Sequence, residues 1–296
     1  MSVAEMTDNR WVYLDGAFVR GSDARISPFD RGFLFAHAAY EVTAVFDGKL
    51  IDYDAHMARL AKTLEGIEIL APEQNLAALH AEIIARNNLT EGLVYMQVSA
   101  GAHGPRDFYG PEDLAPSLFM FTTAKILIGE VARDGFEVIS LADTRWARRD
   151  VKTTQLLSQT LAYRAARRAG VDTAILHEDG VVTEAASANA WIVTPDGVFV
   201  TRENSPALLP GITRTRSLQL LRDAGFQVEE RSFTLNEMAM AAEAFTTSTG
   251  AVIAPILRLD GKPIGTGSPG PMTRTLQQLY YTYIGADLSV SAPWAL

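Results

Sequence analysis

The sequence contains no cysteine. That absence excludes disulfides, thiolate metal sites and cysteine nucleophiles, and it fits a reducing compartment. The five histidines, His37, His56, His80, His103 and His177, are scattered, with no H-x-x-x-H pair, so no metal is expected. A G-x-S-x-G nucleophile elbow is missing. No apolar run approaches the ~18 residues of a membrane span. The opening stretch, MSVAEMTDNRW, has neither a basic region nor an apolar core, so no secretory leader is expected and a cytoplasmic location is. Positive charge is scarce as well. The net charge of −9 leaves no basic footprint for nucleic acid. What remains is the composition of an ordinary globular protein, 48% hydrophobic and 21% charged, and 296 residues are enough for one large domain or two ordinary ones.

Lysine is far scarcer than arginine, with five in the chain. Lys49 and Lys262 follow Asp-Gly in turns, Lys62 lies in a helical pattern, and Lys125 trails an apolar strand. Lys152 differs. It stands in RWARRDVKTTQLL (145–157), a segment that uses arginine at 145, 148 and 149 and then switches to lysine.

Periodicity divides the chain. WVYLDGAFVR reads as strand, Asp-Gly turn, strand, and AAYEVTAVFDGKLIDY repeats the pattern around Asp47-Gly48. One helix is expected from Asp54 to Leu64 and a second from Pro72 to about Asn88. GLVYMQVSAG and SLFMFTTAKI read as strands. LIGEVARDG is a polar break, which puts a small N-terminal domain at 1–126, a linker at 127–135 and a C-terminal domain at 136–296. That second part alternates strands and hairpins with helices closed by Gly170 and Gly225, and it ends in a helix near Met272–Tyr283. Strands and helices are grouped rather than strictly alternating, which argues for an α+β fold.

Several stretches carry chemistry, each with a plainer alternative. GTGSPG (265–270) has the spacing of a dinucleotide fingerprint, but Pro269 and Pro271 interrupt it and no βαβ unit follows, so it reads as a loop. LLPGITRTRSLQLL (208–221) breaks at Pro210-Gly211 and opens a helix at Ile212-Thr213. Free N–H groups at such a start suit a phosphate; the alternative is a simple turn with Thr213 as N-cap. AFTTSTGA (244–251) offers hydroxyls and a glycine, either an anion cradle or a polar loop. In HMARL, Arg59 can fork onto a phosphate or make a surface salt bridge. GVVTEAASANAW (180–191) ends a hairpin strand at Glu184, followed by small residues that permit close backbone approach. That carboxylate could pair with a protonated ring nitrogen or be an exposed strand-end group.

RRDVKTTQLL, VTEAASANAW, LPGITR and AFTTSTGAVIAPI, in this order and spacing, closely resemble the class IV pyridoxal-phosphate aminotransferases. The resemblance runs from YLDGAFV to GPMTRTLQQLY. It implies a two-domain fold like that of the D-amino acid and branched-chain enzymes, with a small N-terminal α/β domain and a larger β-rich α/β domain, the cofactor between them, and a homodimer. It implies pyridoxal 5'-phosphate as cofactor, with Lys152 matching the Schiff-base lysine, Arg59 the phosphate-binding arginine and Glu184 the carboxylate on the pyridine nitrogen. Leu209 matches the residue packed on the ring. Gly211, Ile212 and Thr213, with Thr249 and Gly250, match the phosphate cradles. Ser187 falls among the cofactor-binding positions, and Tyr40 lies near the substrate. An arginine could not replace Lys152, because a guanidinium stays protonated, whereas a partly desolvated lysine amine can lose its proton and attack a carbonyl.

The implied reaction moves an amino group from a D-amino acid to a 2-keto acid in two half-reactions. Arg106 resembles the arginine with which the D-amino acid enzymes grip a carboxylate. Phe108, Ala100 and FAHAAYEV with His37 depart from that group and make the site less polar, and PEDLAPSLFMF is similar to the (R)-amine transaminases. The (R)-selective amine:pyruvate transaminases are therefore the alternative, followed by branched-chain aminotransferase, aminodeoxychorismate lyase and a non-catalytic vitamin-binding protein.

Overall fold

The computed structural model describes residues 9–104 and 106–296. The stretch read as lacking a secretory leader lies, through residue 8, outside the described residues. Among them, no helix is long and apolar enough to cross a membrane.

Two compact units divide the chain. The first comprises the residues up to Ile126 together with Val151–Gln155. Its strands are β1 (Trp11–Leu14), β2 (Ala17–Arg20), β3 (Ala38–Phe46), β4 (Lys49–Leu50), β5 (Gly92–Ser99) and β6 (Ser117–Ala124), and its helices are α1 (Arg31–Phe35), α2 (Tyr53–Gly66) and α3 (Leu76–Arg86). The strands form one antiparallel sheet in the order β2-β1-β6-β5-β3-β4. Alternation along β5 buries Val94, Met96 and Val98 with Leu60, Leu64 and Ile83 of the two long helices. The residues between them carry an aromatic row on the opposite face, where Tyr40, Tyr95 and Phe121 stack at 5.6 and 4.8 Å.

The Asp15-Gly16 and Asp47-Gly48 turns form as the sequence suggests, with φ positive at all four residues. Differences are local. Helix α3 starts at Leu76 rather than Pro72, because Asn75 accepts the Ala78 amide at 3.1 Å and caps it there. Helix α1 has too few residues for a periodic signal. Its mark is Asp30, which caps Phe33 and accepts the Ser99 hydroxyl at 2.6 Å.

The second unit is Leu127–Asp150 with Leu156–Leu296. It contains α4 (Glu130–Asp134), β7 (Phe136–Ala142), α5 (Leu157–Arg168), β8 (Thr173–Glu178), β9 (Val181–Ala185), β10 (Asn189–Val193), β11 (Phe199–Thr201), α6 (Ile212–Asp223), β12 (Val228–Glu230), α7 (Leu235–Ala239), β13 (Glu243–Ser248), β14 (Val252–Leu259), β15 (Lys262–Pro263), α8 (Pro271–Tyr283) and α9 (Leu288–Ser291). The nine-stranded sheet runs β12-β11-β10-β13-β14-β7-β8-β9, with β15 on β14, and mixes parallel with antiparallel pairs. Val138, Ile175, Ile192, Ala244 and Ile256 are among its buried core. The stretch 127–135, read from the sequence as a linker, carries α4 and belongs to this unit.

Candidate active site

Each unit holds one group of candidate residues. In the first, Val151–Gln155 lies along the edge of β3. The Tyr40 amide donates to the Lys152 carbonyl at 3.0 Å, and the Thr154 amide donates to Ala38 at 3.1 Å. The Lys152 amide donates to the Thr63 hydroxyl of α2 at 3.2 Å. The backbone on both sides of Lys152 is thereby fixed, and its Nζ lies 4.1 Å from the centroid of the Tyr40 ring.

Glu41 follows Tyr40 and points to the other face of the sheet, toward α2. His56, Arg59 and Thr63 share one face of that helix at spacings of three and four. Arg59 donates through Nε and Nη2 to the two Glu41 oxygens, both at 2.8 Å, and the Glu41 carboxylate also lies 2.8 Å from His56 Nδ1. Burial raises the Glu41 carboxyl, but the charge and hydrogen bonds of Arg59, joined by His56, outweigh it and hold the group at about 2. Arg59 is 7% exposed, so the surface salt bridge that HMARL also allowed is corrected to a buried ion pair.

The other candidates of this unit stand apart from Lys152 in their described contacts. His37 Nε2 meets the Ile67 carbonyl at 2.7 Å. The Arg106 guanidinium packs over Phe35 and Phe108, at 5.0 and 5.4 Å. Phe108 is 78% exposed, packed on one side by Phe35.

In the second unit, Glu184 is buried on β9, which corrects the exposed strand-end alternative. A bulge precedes it: Leu176 faces Glu184 while His177 faces Val182, so Thr183 is the extra residue. The Thr183 hydroxyl donates to Asp143 at 2.7 Å, while Glu184 meets Arg145 Nη1. Arg145 grips Asp143 from its other edge. Asn189 Nδ2 donates to the second Glu184 oxygen at 3.0 Å, and the Leu209 amide reaches the carboxylate at 3.3 Å. Burial dominates and raises the Glu184 carboxyl above its ordinary value, against the pull of Arg145.

Helix α6 begins at Ile212 with Gly211 as its N-cap and no side-chain cap bond. Thr213 is thus the second helical residue, not the cap. A Cβ on Gly211 would lie 1.9 Å from Asn189 Oδ1, so only glycine permits this approach. Arg214, fully buried, anchors the first turn through Glu230 at 2.9 Å and the Arg202 carbonyl at 2.6 Å. Thr249 and Gly250 form the turn after β13. Because Asn189 pairs with Thr247 in register, that turn follows the same end of the sheet as Gly211. The Ser187 and Tyr163 hydroxyls share a hydrogen bond.

Sequence reasoning missed Asp143, Arg145, Asn189, Glu41 and Thr63. Arg145 lies in the very segment that exposed Lys152, but its charge gave no cue to direction.

The profile of the class IV amino-transferase family matches residues 38–259. The D-alanine aminotransferase of Bacillus licheniformis is 34% identical over 268 residues, which span 90% of this chain and 94% of that protein. The D-alanine aminotransferase of Listeria monocytogenes serotype 4b is 33% identical over 277 residues, or 91% and 94%. In fold, the chain is similar to the Escherichia coli branched-chain amino acid aminotransferase, with a TM-score of 0.84 at 23% identity over 93% and 94% of the two chains. It is also similar to the branched-chain amino acid aminotransferase of T.th. complexed with N-(5'-phosphopyridoxyl)-L-glutamate, with a TM-score of 0.83 at 23% identity over 97% of each. With its family profile matched over most of its length and near-complete relatives above 30% identity, this chain belongs to the class IV aminotransferases.

Proposed function

We propose that the protein transfers the amino group of a D-amino acid to a 2-keto acid, with pyridoxal 5'-phosphate as cofactor and Lys152 as its attachment point. One observation carries the chemistry: the lone lysine of an arginine-using segment has its backbone fixed on both sides and its amine 4.1 Å from the Tyr40 ring. The D-amino acid donor rests on the D-alanine aminotransferases that match along nearly the whole chain.

Pyridoxal 5'-phosphate supplies a carbonyl that exchanges amino groups and a ring that takes up the electron pair left when a Cα–H bond breaks. The residues present suit it. Gly211 lets the Asn189 side chain reach the start of α6, where a Cβ would collide with it, and the first amides of that helix carry no side-chain cap, which favours a phosphate. Thr213, Thr249 and Gly250 add donors. Glu184 is a buried carboxylate suited to a protonated ring nitrogen, and Leu209, whose amide bonds Glu184, would pack on the ring. Lys152 holds the cofactor at rest. Its free amine would serve as the base for the donor's Cα proton. The same Nζ would hold that proton and return it later in the exchange. Arg59, held by Glu41, would supply charge to the phosphate, and Arg106 would pair with the donor carboxylate. A homodimer is the expected assembly and the cytoplasm the expected compartment.

Borohydride reduction of the holoenzyme followed by peptide mapping tests the attachment: label at Lys152 is expected, and label elsewhere refutes it. Lys152→Ala is expected to reduce turnover by at least ~10³-fold. Mixing the enzyme separately with D-alanine, D-glutamate, (R)-1-phenylethylamine and L-leucine tests the donor. Fast spectral conversion by the D-amino acids supports the reading, and fast conversion by L-leucine alone overturns it. Phe108 packed on Phe35 beside Arg106 favours the (R)-amine as the second donor.

A further inference from the structure

We propose that Arg145 is a positioning residue: clamped by Asp143, it keeps the buried Glu184 carboxylate ionised and aimed, so that the cofactor's ring nitrogen retains its proton. This rests on the reading of Glu184 given above.

The side chains of all three residues are at most 6% exposed, that of Asp143 not at all. Removing a carboxylate from water carries a penalty of several kcal/mol in a protein, and a buried carboxylate without partners takes up a proton instead. Glu184 therefore needs donors. Arg145 is the only charged donor among its described partners; Asn189 and the Leu209 amide are neutral.

The arginine has no freedom to turn away. Nε and Nη2 form a two-pronged contact with Asp143 at 3.0 and 2.6 Å, which fixes the guanidinium plane and leaves Nη1 directed at Glu184. Asp143 is fixed in turn by the Arg145 amide at 3.1 Å and by the Thr183 hydroxyl at 2.7 Å. Thr183 adjoins Glu184 in the chain, so Asp143, Arg145, Glu184 and Thr183 close a ring of contacts around the bulge. A lysine at 145 would lack the planar fork that holds Asp143 through two nitrogens and leaves the third for Glu184.

The pairing also solves a problem of sign. A bare cation beside Glu184 would repel a protonated ring nitrogen. Asp143 offsets Arg145 at a distance while leaving its near hydrogen bond to Glu184 intact; Arg149, 3.5 Å from the same carboxylate, is itself paired with Glu178 at 2.7 Å. The pair thus acts at short range on the carboxylate and weakly on a cation beyond it. With the donor removed, Glu184 would gain proton affinity and draw the proton from the ring nitrogen onto its own oxygen.

The test uses holoenzyme loaded with pyridoxal phosphate carrying ¹⁵N in the ring, and reads the nitrogen chemical shift by NMR near neutral pH. Wild type is expected at the pyridinium position. Arg145→Met is expected to move more than half of the way toward neutral pyridine, and Arg145→Lys part of the way. A pyridinium shift unchanged in Arg145→Met, but lost in Glu184→Gln, overturns the role of Arg145 alone. A shift unchanged in Glu184→Gln as well overturns the assignment of Glu184 on which it rests. Should Arg145→Met not fold, Arg145→Gln, which keeps a donor without charge, carries the same expectation with a smaller displacement, and no displacement overturns the proposal.

Discussion

The Lys152 amine lies over the face of the Tyr40 ring, 4.1 Å from its centroid, and that ring stacks on Tyr95 at 5.6 Å. An ammonium over an aromatic face gains about 1 kcal/mol and is held in position by it. Tyr40→Leu is expected to lower kcat about fivefold, the rate equivalent of that energy, while Tyr40→Phe stays within about twofold. Steady-state kinetics at saturating donor decide the matter; full turnover in Tyr40→Leu would remove the ring from the account.

Glu41 stabilises the fold through ionisation. Its carboxyl falls from an ordinary 4.5 to about 2 on folding, because Arg59 and His56 outweigh the burial penalty. A lowered carboxylate pKa gives stability that is fully present above 4.5 and lost as pH falls toward 2. At pH 7, Glu41→Gln is expected to reduce the unfolding free energy by about 3 kcal/mol, since Arg59 then keeps its buried charge without that carboxylate. Urea denaturation at pH 7 and pH 3.5 should show the gap between wild type and variant narrowing in acid. An equal gap at both values would show that shape, not charge, governs the pair.

Gly211→Ala tests the start of α6. The added methyl would meet Asn189 Oδ1 at 1.9 Å, so the Asn189 amide must leave Glu184 and the Leu209 carbonyl or the helix start must shift. A loss of about 1–3 kcal/mol in stability is expected from this overpacking. A cofactor dissociation constant raised by at least about tenfold should accompany it, measured by equilibrium dialysis. Wild-type affinity in a folded Gly211→Ala protein would separate this glycine from cofactor binding.

His80 gives the first unit a sensitivity to mild acid. It is fully buried on α3, with Nδ1 2.7 Å from the Leu76 carbonyl, Nε2 without a described partner and Tyr53 edge-on at 5.1 Å. Burial lowers its pKa below the ordinary 6.5, and the charge of His56 adds to the shift, against the Leu76 bond. Since the unfolded chain binds the proton more readily, stability is fully present above pH 6.5 and declines below it, by at most about 1.4 kcal/mol per pH unit. Thermal unfolding between pH 7.5 and 5.5 should show this decline in wild type and a flatter profile in His80→Leu. Parallel profiles would exclude His80 as the cause.

Much of this was legible in the residues. The Asp-Gly turns, the alternation of β5 and the apolar face of α2 are local patterns, and local physics forms them. Lys152 stood out because its neighbours are arginines. The partners of the candidate residues were not legible, because long-range pairing supplies them. Glu41 meets Arg59 across 18 residues and Glu184 meets Arg145 across 39, and neither spacing leaves a trace in a single sequence. Thr183 could not be distinguished from any strand threonine without the bulge that turns it toward Asp143. The break at 127–135 misled for the opposite reason: five residues of α4 are too few to show a period, although Gly129 and Gly135 bracket them.

The short excursion Val151–Gln155 belongs with the first unit, yet second-unit chain flanks it on both sides. No single scission therefore yields two self-sufficient fragments. A piece ending at Ile126 would lack Lys152, and a piece starting at Leu127 would carry it without the β3 edge that seats it. Any chimera that exchanges one unit between relatives must graft both stretches together, or leave the lysine on foreign ground.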